Sequence, residues 1–254
     1  MILNYIVWDV SPEIFSIPLD IPIVGGISVR WYGLLFAMSF VVGYMIMKKI
    51  FDNEGIGEKV LDQLSTYMLV FTVLGARLGH CLFYEPSYYL ANPMDILKVW
   101  EGGLASHGAA VGILSGLYFF AKSNKKDYLW VVDRIAIVVA LSGFFIRTGN
   151  LMNSEIFGDI TTMPWGFVFT KYYNVALAVD PRHPTQIYEA LSYLAIFIFL
   201  YRKYWSVKGK TNNGEIFGYF LALLFSVRFL IEFIKVPQVG FEESMMLNMG
   251  QILS

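Results

Sequence analysis

The stretch that decides the fold class is Ser142-Gly-Phe-Phe-Ile-Arg-Thr-Gly-Asn-Leu-Met-Asn-Ser-Glu-Ile-Phe-Gly158. It begins as the last turns of an apolar helix and ends as a polar loop, with Arg147, Asn150, Asn153 and Glu155 at the junction. A guanidinium close to a bilayer core is costly, so Arg147 is a candidate functional residue whose planar donors suit a phosphate or carboxylate. Alternatively, Arg147 reaches the interface or pairs with Glu155 in a purely structural role.

The composition favours a membrane protein. The 254 residues are 56% hydrophobic and 15% charged, with a mean hydropathy of +0.55, whereas a soluble domain carries about 25% charged residues. The net charge of -1 argues against a nucleic-acid-binding protein, which needs a basic face. Cys81 is the only cysteine, so an internal disulfide and a cysteine metal cluster are both excluded. The N-terminus lacks the basic start of a signal peptide.

Six apolar runs predict an all-α integral membrane protein, a polytopic helix bundle. Each run is near the ~20 residues needed to cross hydrocarbon, and the polar residues within some of them are typical of bundle helices. The runs are 28–50, 61–80, 104–121, 128–147, 185–201 and 215–235. The last residues resemble the opening of a seventh span, so we expect a shortened C-terminus. Residues 1–254 are predicted to form one membrane domain.

Loop charges predict the orientation of these spans. Lysine and arginine are concentrated in the loops after the first, third and fifth spans, whereas loops 81–103 and 148–184 hold few of them. Positive loops stay in the cytoplasm, so the N-terminus and both long loops are predicted to face outward. Residues 148–184 are predicted to form a small folded cap with a short strand near 165–169. Residues 1–27 are predicted to be interfacial and to contain a short strand.

Polar side chains converge on the outer ends of the spans. Tyr32 lies in the outer part of the first span, His107 opens the third and Arg147 closes the fourth. Arg228 lies ~20 Å along the sixth span, in its outer half, with Glu232 one turn further on the same face. Arginines at this depth form a site for an anionic lipid, and the histidine and carboxylates supply proton-transfer groups.

Each of these residues also has a structural interpretation. Arg228 and Glu232 could simply neutralise each other, and His107 could be a buried structural histidine. Arg77 in the second span is interpreted as structural, and Asp133-Arg134 is expected to pair or to reach the inner interface. Glycines near His107 are expected to let helix backbones approach closely; they are Gly102, Gly103, Gly108 and Gly112.

Six motifs in order resemble one family, the bacterial phosphatidylglycerol–prolipoprotein diacylglyceryl transferases. The family signature Gly-Arg-x-Gly-Asn-x-x-Asn-x-Glu-x-x-Gly is matched by residues 146–158, with Ile146 in place of the first glycine. The other five matches are Trp31-Tyr32-Gly33, Gly102 to Gly108, Arg182-His183-Pro184-Thr185-Gln186-Ile187-Tyr188-Glu189, Arg228 to Phe233 and Met249-Gly250-Gln251. The family normally continues into a seventh helix.

The resemblance implies an enzyme of the bacterial inner membrane. It would transfer the diacylglyceryl group of phosphatidylglycerol to the lipobox cysteine of a prolipoprotein signal peptide, forming a thioether and releasing glycerol phosphate. Because the thiol belongs to the substrate, the enzyme needs no cysteine, and no metal or cofactor is predicted. The resemblance places the active site on the periplasmic side, where the cap would lie.

Roles follow from this resemblance as hypotheses. Arg147 and Arg228 would hold the lipid phosphate, and His107 is the candidate base for the thiol, with a positioning role as the alternative. Tyr32 and Asn150 would orient the headgroup. The remaining predicted site residues are Asn153, Glu155, Gly158, His183 and Glu232. Glu155 and Glu232 would hold the arginines, and His183 could equally be structural.

The alternative function is a transporter or flippase of an anionic lipid. That function predicts polar groups along a path to the inner side and paired repeats, and the sequence has neither. An intramembrane protease is disfavoured because His-Glu-x-x-His and Gly-x-Ser-x-Gly are both absent.

Overall fold

The computed structural model describes residues 5–17, 27–99, 102–171 and 179–236, and it is mostly helical. The match at Met249-Gly250-Gln251 lies outside these described residues, as does the predicted opening of a seventh helix. Seven α-helices are present in the described parts of the chain: α1 Trp31–Asn53, α2 Glu58–Phe83, α3 Pro86–Ala91, α4 Ser106–Ser123, α5 Tyr128–Met152, α6 Thr185–Ser206 and α7 Glu215–Glu232.

Each of the six predicted apolar runs coincides with one long helix. The loop between α2 and α4 was predicted to be irregular, but it contains the short α3 and a 3₁₀ segment, Pro93–Leu97. Within the described chain, α1, α2 and α5 are long and apolar enough to cross a membrane. The architecture is that of a helical membrane protein.

Short strands lie in the two predicted non-helical regions. They are β1 Ile6–Trp8, β2 Glu13–Ile17, β3 Ile27–Arg30 and β4 Phe167–Phe169. β1 pairs in parallel with β4, and β2 pairs antiparallel with β3. The strands expected near the N-terminus and near 165–169 are therefore confirmed, and the N-terminal segment is joined to the insert.

The helix that carries Arg147 is longer than the sequence predicted. α5 continues to Met152, so Arg147 and Asn150 are helical residues rather than the start of a loop. The end of the helix is a Schellman motif: the Ser154 amide donates to the Leu151 carbonyl at 3.0 Å, and the Glu155 amide donates to the Asn150 carbonyl at 3.1 Å. The prediction was wrong here because this cap uses a serine with φ of 54°, where glycine usually marks a helix end.

The chain forms two compact units. The first comprises Met1–Met45, Ala136–Val207 and Gly218–Ser254, and the second comprises Ile46–Ile135 and Lys208–Phe217. In the first unit, an apolar cluster of Leu151, Phe157, Phe167 and Phe169 packs with Trp8, Ile187 and Val236. The Trp8 indole also donates to the Leu151 carbonyl at 3.1 Å. The insert after α5 thereby shares a small core with the end of α5, the N-terminal segment and the start of α6.

Glycines bring α2 and α4 together in the second unit. A Cβ atom on Gly79 would lie 2.7 Å from Gly108 Cα, and one on Gly112 would overlap the Phe71 carbonyl. Side chains larger than hydrogen would therefore push these helices apart, as in other small-residue membrane interfaces. The expectation of close backbone approach is confirmed at Gly108 and Gly112.

A second set of contacts in the second unit is made by buried charged side chains at the start of α5. Arg134 Nη2 lies 3.0 Å from Glu54 Oε1, and its guanidinium stacks over Trp130. Asp133 accepts hydrogen bonds from the amides of Gly214 and Phe217 at 2.9 and 2.8 Å. The expected pairing of Asp133-Arg134 is confirmed, and it joins loops that are distant in sequence.

Candidate active site

Arg147 lies one and a half turns before the end of α5 in the first unit. Its side chain is 14% exposed, and its Nε lies 2.9 Å from Glu189 Oε2 near the start of α6. Its Nη1 donates to the Asn150 side-chain oxygen at 3.3 Å. The ion pair and the hydrogen bond engage different edges of the guanidinium, so they restrain it from two sides.

Glu189 joins three parts of the first unit. Its side chain is 1% exposed, and its second oxygen lies 3.3 Å from the ammonium of Lys235, which follows α7. Lys235 Nζ also lies 3.7 Å from Glu232. Glu189 and Lys235 were not among the predicted site residues. Lys235 could have been identified from its spacing of three residues from Glu232. Glu189 could have been identified because it is the last residue of the Arg182–Glu189 motif.

Glu155 binds asparagines rather than an arginine. Its Oε1 accepts from the Asn150 amide at 2.8 Å and from the Asn153 amide at 3.1 Å. The expectation that Glu155 holds the arginines is therefore corrected: Arg147 contacts Glu189 directly and Glu155 only through Asn150. The Schellman cap folds Glu155 back over the last turn of α5, where the asparagine amides are its neighbours.

The loop after α5 has a strained backbone. Ile156 has φ of 60°, which is costly for a β-branched residue and is seen where surrounding contacts hold the chain. Those contacts come from the start of α6. Gln186 Nε2 donates to the Glu155 carbonyl at 2.7 Å, and the Thr185 hydroxyl donates to the Ile156 carbonyl at 3.0 Å. The loop is thus stabilised by the cap at the end of α5 and by hydrogen bonds from α6.

Gly158 allows the insert to touch the chain after α7. A Cβ atom there would overlap the Ile234 carbonyl and lie 2.8 Å from His183 Cβ. The Gly158 amide donates to the His183 carbonyl at 2.8 Å. The His183 ring, in turn, has Nδ1 3.2 Å from the Tyr188 hydroxyl. Gly158 therefore serves to allow a close backbone approach, and the His183 ring has the Tyr188 hydroxyl as its neighbour.

Tyr32 packs on the same end of α5. Its Cδ2 would lie 2.8 Å from a Cβ atom added to Gly149, so the missing side chain of that glycine makes room for the ring. The hydroxyl is within electrostatic reach of both Glu155 and Arg147. The structure therefore brings Tyr32, Arg147, Asn150 and Glu155 together.

Arg228 and Glu232 lie one turn apart on α7 and are partly buried. Both are within electrostatic reach of Lys235, as is Arg147. Arg228 therefore belongs to the same charged region as Arg147 and Glu189. We refer to Arg147, Glu189, Arg228, Glu232 and Lys235 as the charged cluster.

His107 belongs to the second unit and is exposed in the first turn of α4. Its ring lies edge-on to Phe83 at 5.2 Å and tilted against Tyr84 at 5.8 Å between centroids. The alternative of a buried structural histidine is therefore wrong.

Arg77, also in the second unit, is buried and structural. It donates to the carbonyls of Asp95, Ile96 and Gly102 at 2.6, 2.9 and 2.6 Å, and its guanidinium stacks over Tyr89 at 5.0 Å. These contacts hold the loop between α2 and α4.

Comparison with known proteins gives one consistent result. Residues 18–254 match a family model described as prolipoprotein diacylglyceryl transferase. The chain is 46% identical over 248 residues to the phosphatidylglycerol–prolipoprotein diacylglyceryl transferase of Tolumonas auensis, covering 97% of this chain and 91% of the relative. The protein of that name from Chloroherpeton thalassium is 45% identical over 252 residues, covering 99% and 90%. The one from Porphyromonas gingivalis is 45% identical over 261 residues, covering 98% and 90%.

Proposed function

Because this chain belongs to the prolipoprotein diacylglyceryl transferase family, we propose that it transfers the diacylglyceryl group of phosphatidylglycerol to a prolipoprotein. The observation that carries the proposal is an identity of 45–46% to transferases of that name across nearly the whole chain. The acceptor is the lipobox cysteine thiol of the signal peptide. The products are a thioether-linked lipid and glycerol phosphate.

The reaction is a substitution at the glycerol carbon that bears the phosphate ester. The substrate thiolate forms a carbon–sulfur bond there while the carbon–oxygen bond to phosphate breaks. The bonding electrons leave with the phosphate oxygen, so negative charge grows on the departing glycerol phosphate. A free thiol has a pKa of about 8.5, so a base must take its proton before the attack.

Arg147 and Arg228 are our proposed phosphate ligands. The contacts of Arg147 with Glu189 and Asn150 support this assignment because they restrain the guanidinium from two sides before substrate arrives. An arginine fixed in this way stabilises a phosphodiester and its developing charge without moving a proton. Preorganised donors are effective because they need no rearrangement in the transition state.

Other residues of the first unit are proposed to support this pair. Tyr32 and Asn150 orient the headgroup by hydrogen bonds, and Asn153 with Glu155 keeps Asn150 in place. Glu232, one turn from Arg228, is proposed to hold that arginine, and it also lies 3.7 Å from Lys235. Gly158 and His183 support the loop that carries these residues. His107, in the second unit, is the proposed base for the thiol, and its side chain is exposed.

We also propose the membrane topology. Helices at all six predicted positions support six spans in one membrane domain, with 148–184 as a periplasmic cap and the site on the outer side of the inner membrane. The short strand β4 and the apolar cluster to which its two phenylalanines belong support a folded cap.

The test uses purified protein, phosphatidylglycerol vesicles and a lipobox peptide. A mass gain of one diacylglyceryl group on the peptide cysteine supports transfer, and a peptide with serine in place of that cysteine is the control. Lipid movement between leaflets without any mass gain would instead support the transporter.

A further inference from the structure

Tyr193 is a polar residue beside Arg147 that the sequence motifs do not include. It lies on α6 four residues after Glu189, so the two side chains share a face of the helix. The residue is 5% exposed. Its hydroxyl makes a polar contact with Arg147 and is within electrostatic reach of Glu189 and Arg228. A buried phenol therefore lies among members of the charged cluster.

The position of the Tyr193 ring is set by Gly143. A Cβ atom on Gly143 would lie 2.6 Å from Tyr193 Cδ2 and 3.2 Å from its Cγ. Gly143 precedes Arg147 by one turn of α5, just as Tyr193 follows Glu189 by one turn of α6. The pairs Arg147–Glu189 and Gly143–Tyr193 are thus successive contacts between antiparallel helices. The absent side chain at 143 leaves room for the ring beside α5.

The chemistry of the contact leaves the Tyr193 proton available. A guanidinium has only donors, so in its contact with Arg147 the Tyr193 oxygen is the acceptor. The O–H group can then donate to another partner. Among the residues that the structure describes, this O–H group donates to no acceptor. Both oxygens of Glu189, the nearest carboxylate on α6, already face cations.

We propose that Tyr193 is a substrate-binding residue that donates a hydrogen bond from its hydroxyl to a phosphate oxygen of phosphatidylglycerol. This inference rests on the proposed function. The phosphate would then receive donors from α5, α6 and α7, through Arg147, Tyr193 and Arg228. Because negative charge grows on the phosphate as glycerol phosphate leaves, the hydrogen bond is stronger in the transition state than in the bound substrate.

The primary test is Tyr193→Phe, which removes one oxygen and keeps the ring against Gly143. We expect kcat/KM for phosphatidylglycerol to fall by about tenfold or more, as for loss of a charge-assisted hydrogen bond. The KM for the lipobox peptide should stay within about twofold of that of the wild type. The matched control is Tyr201→Phe, a partly buried tyrosine two turns further on α6 whose ring packs with Phe197 and Trp205. It should retain wild-type kinetics.

Structural damage is distinguished by a second measurement. Both variants should keep the wild-type Tm in detergent, and Tyr193→Phe alone should bind phosphatidylglycerol more weakly relative to phosphatidylcholine. Unchanged kcat/KM in Tyr193→Phe, or a loss shared equally by lipid and peptide with a lowered Tm, would overturn the inference. Wild-type protein that transfers no lipid counts against the proposed function instead, so the two failures are distinguishable.

Discussion

Arg147 Nε lies 2.9 Å from Glu189 Oε2, and this ion pair joins α5 to α6 within the charged cluster. The carboxylate is almost fully buried and also contacts Lys235. Burying such charges is costly, and the contacts among them offset that cost only while the set stays complete. The pair therefore links the stability of the first unit to the geometry of the Arg147 guanidinium.

The first prediction concerns Arg147→Lys. A single ammonium cannot reproduce contacts with Glu189, Asn150 and a phosphate at once, because lysine lacks the planar fork of donors. We expect transfer to fall by about 10²–10³-fold, the usual effect of losing a preorganised donor to developing charge. Turnover of a lipobox peptide measures it, with the exposed Arg202→Lys as a control. Full activity in Arg147→Lys would show that bidentate phosphate binding is wrong.

The second prediction concerns Glu189→Gln. The change leaves Arg147 and Lys235 partly buried without their shared carboxylate, so the free energy of unfolding should fall by about 3–5 kcal/mol. Denaturant unfolding in detergent measures this. Glu58→Gln, which removes the exposed partner of Lys48, should change it by less than about 1 kcal/mol.

A double variant sharpens this prediction. Adding Lys235→Met to Glu189→Gln removes one of the uncompensated charges, so it should recover part of the lost stability. A double variant that is less stable than Glu189→Gln alone would contradict the arrangement of charges described here.

The third prediction uses two glycines. Gly158→Ala places a methyl group against the Ile234 carbonyl and should impair both stability and transfer, because backbone rather than a movable side chain is in the way. Gly218→Ala, on α7, meets no atom within 4 Å and should raise helix stability by up to about 1 kcal/mol. Thermal unfolding and turnover measured on both variants test it, and equal behaviour of the two would count against the close approach at Gly158.

The fourth prediction concerns the cap of α5. Ser154 has φ of 54°, is fully buried, and its hydroxyl lacks a partner among the described residues. Ser154→Gly should therefore raise the free energy of unfolding by about 0.5–1 kcal/mol, since glycine adopts this conformation without a Cβ penalty. Ser154→Val is the contrasting variant and should lower it. A destabilised Ser154→Gly protein would mean that the hydroxyl has a role in the loop.

Much of the fold could be predicted because membrane helices are local. A run such as 128–147 is recognised from its length and hydrophobicity, since lipid offers the backbone no hydrogen bonds and forces it into a helix. The end of α5 could not be predicted this way. It depends on a serine in a left-handed conformation and on contacts from Thr185 and Gln186, which join residues 29 and 31 positions apart in the chain.

The sequence by itself determined the helical membrane class, the order of the helices, and the residue types at the site, including Arg147 and Arg228. Only the tertiary structure decided which residues meet: Glu189 rather than Glu155 contacts Arg147, and Tyr193 rests on Gly143. The physical reason is that hydrophobicity constrains where a helix lies along the chain but not its rotation or its register against a neighbour. Those are set by the packing of whole helix faces, which no short motif contains.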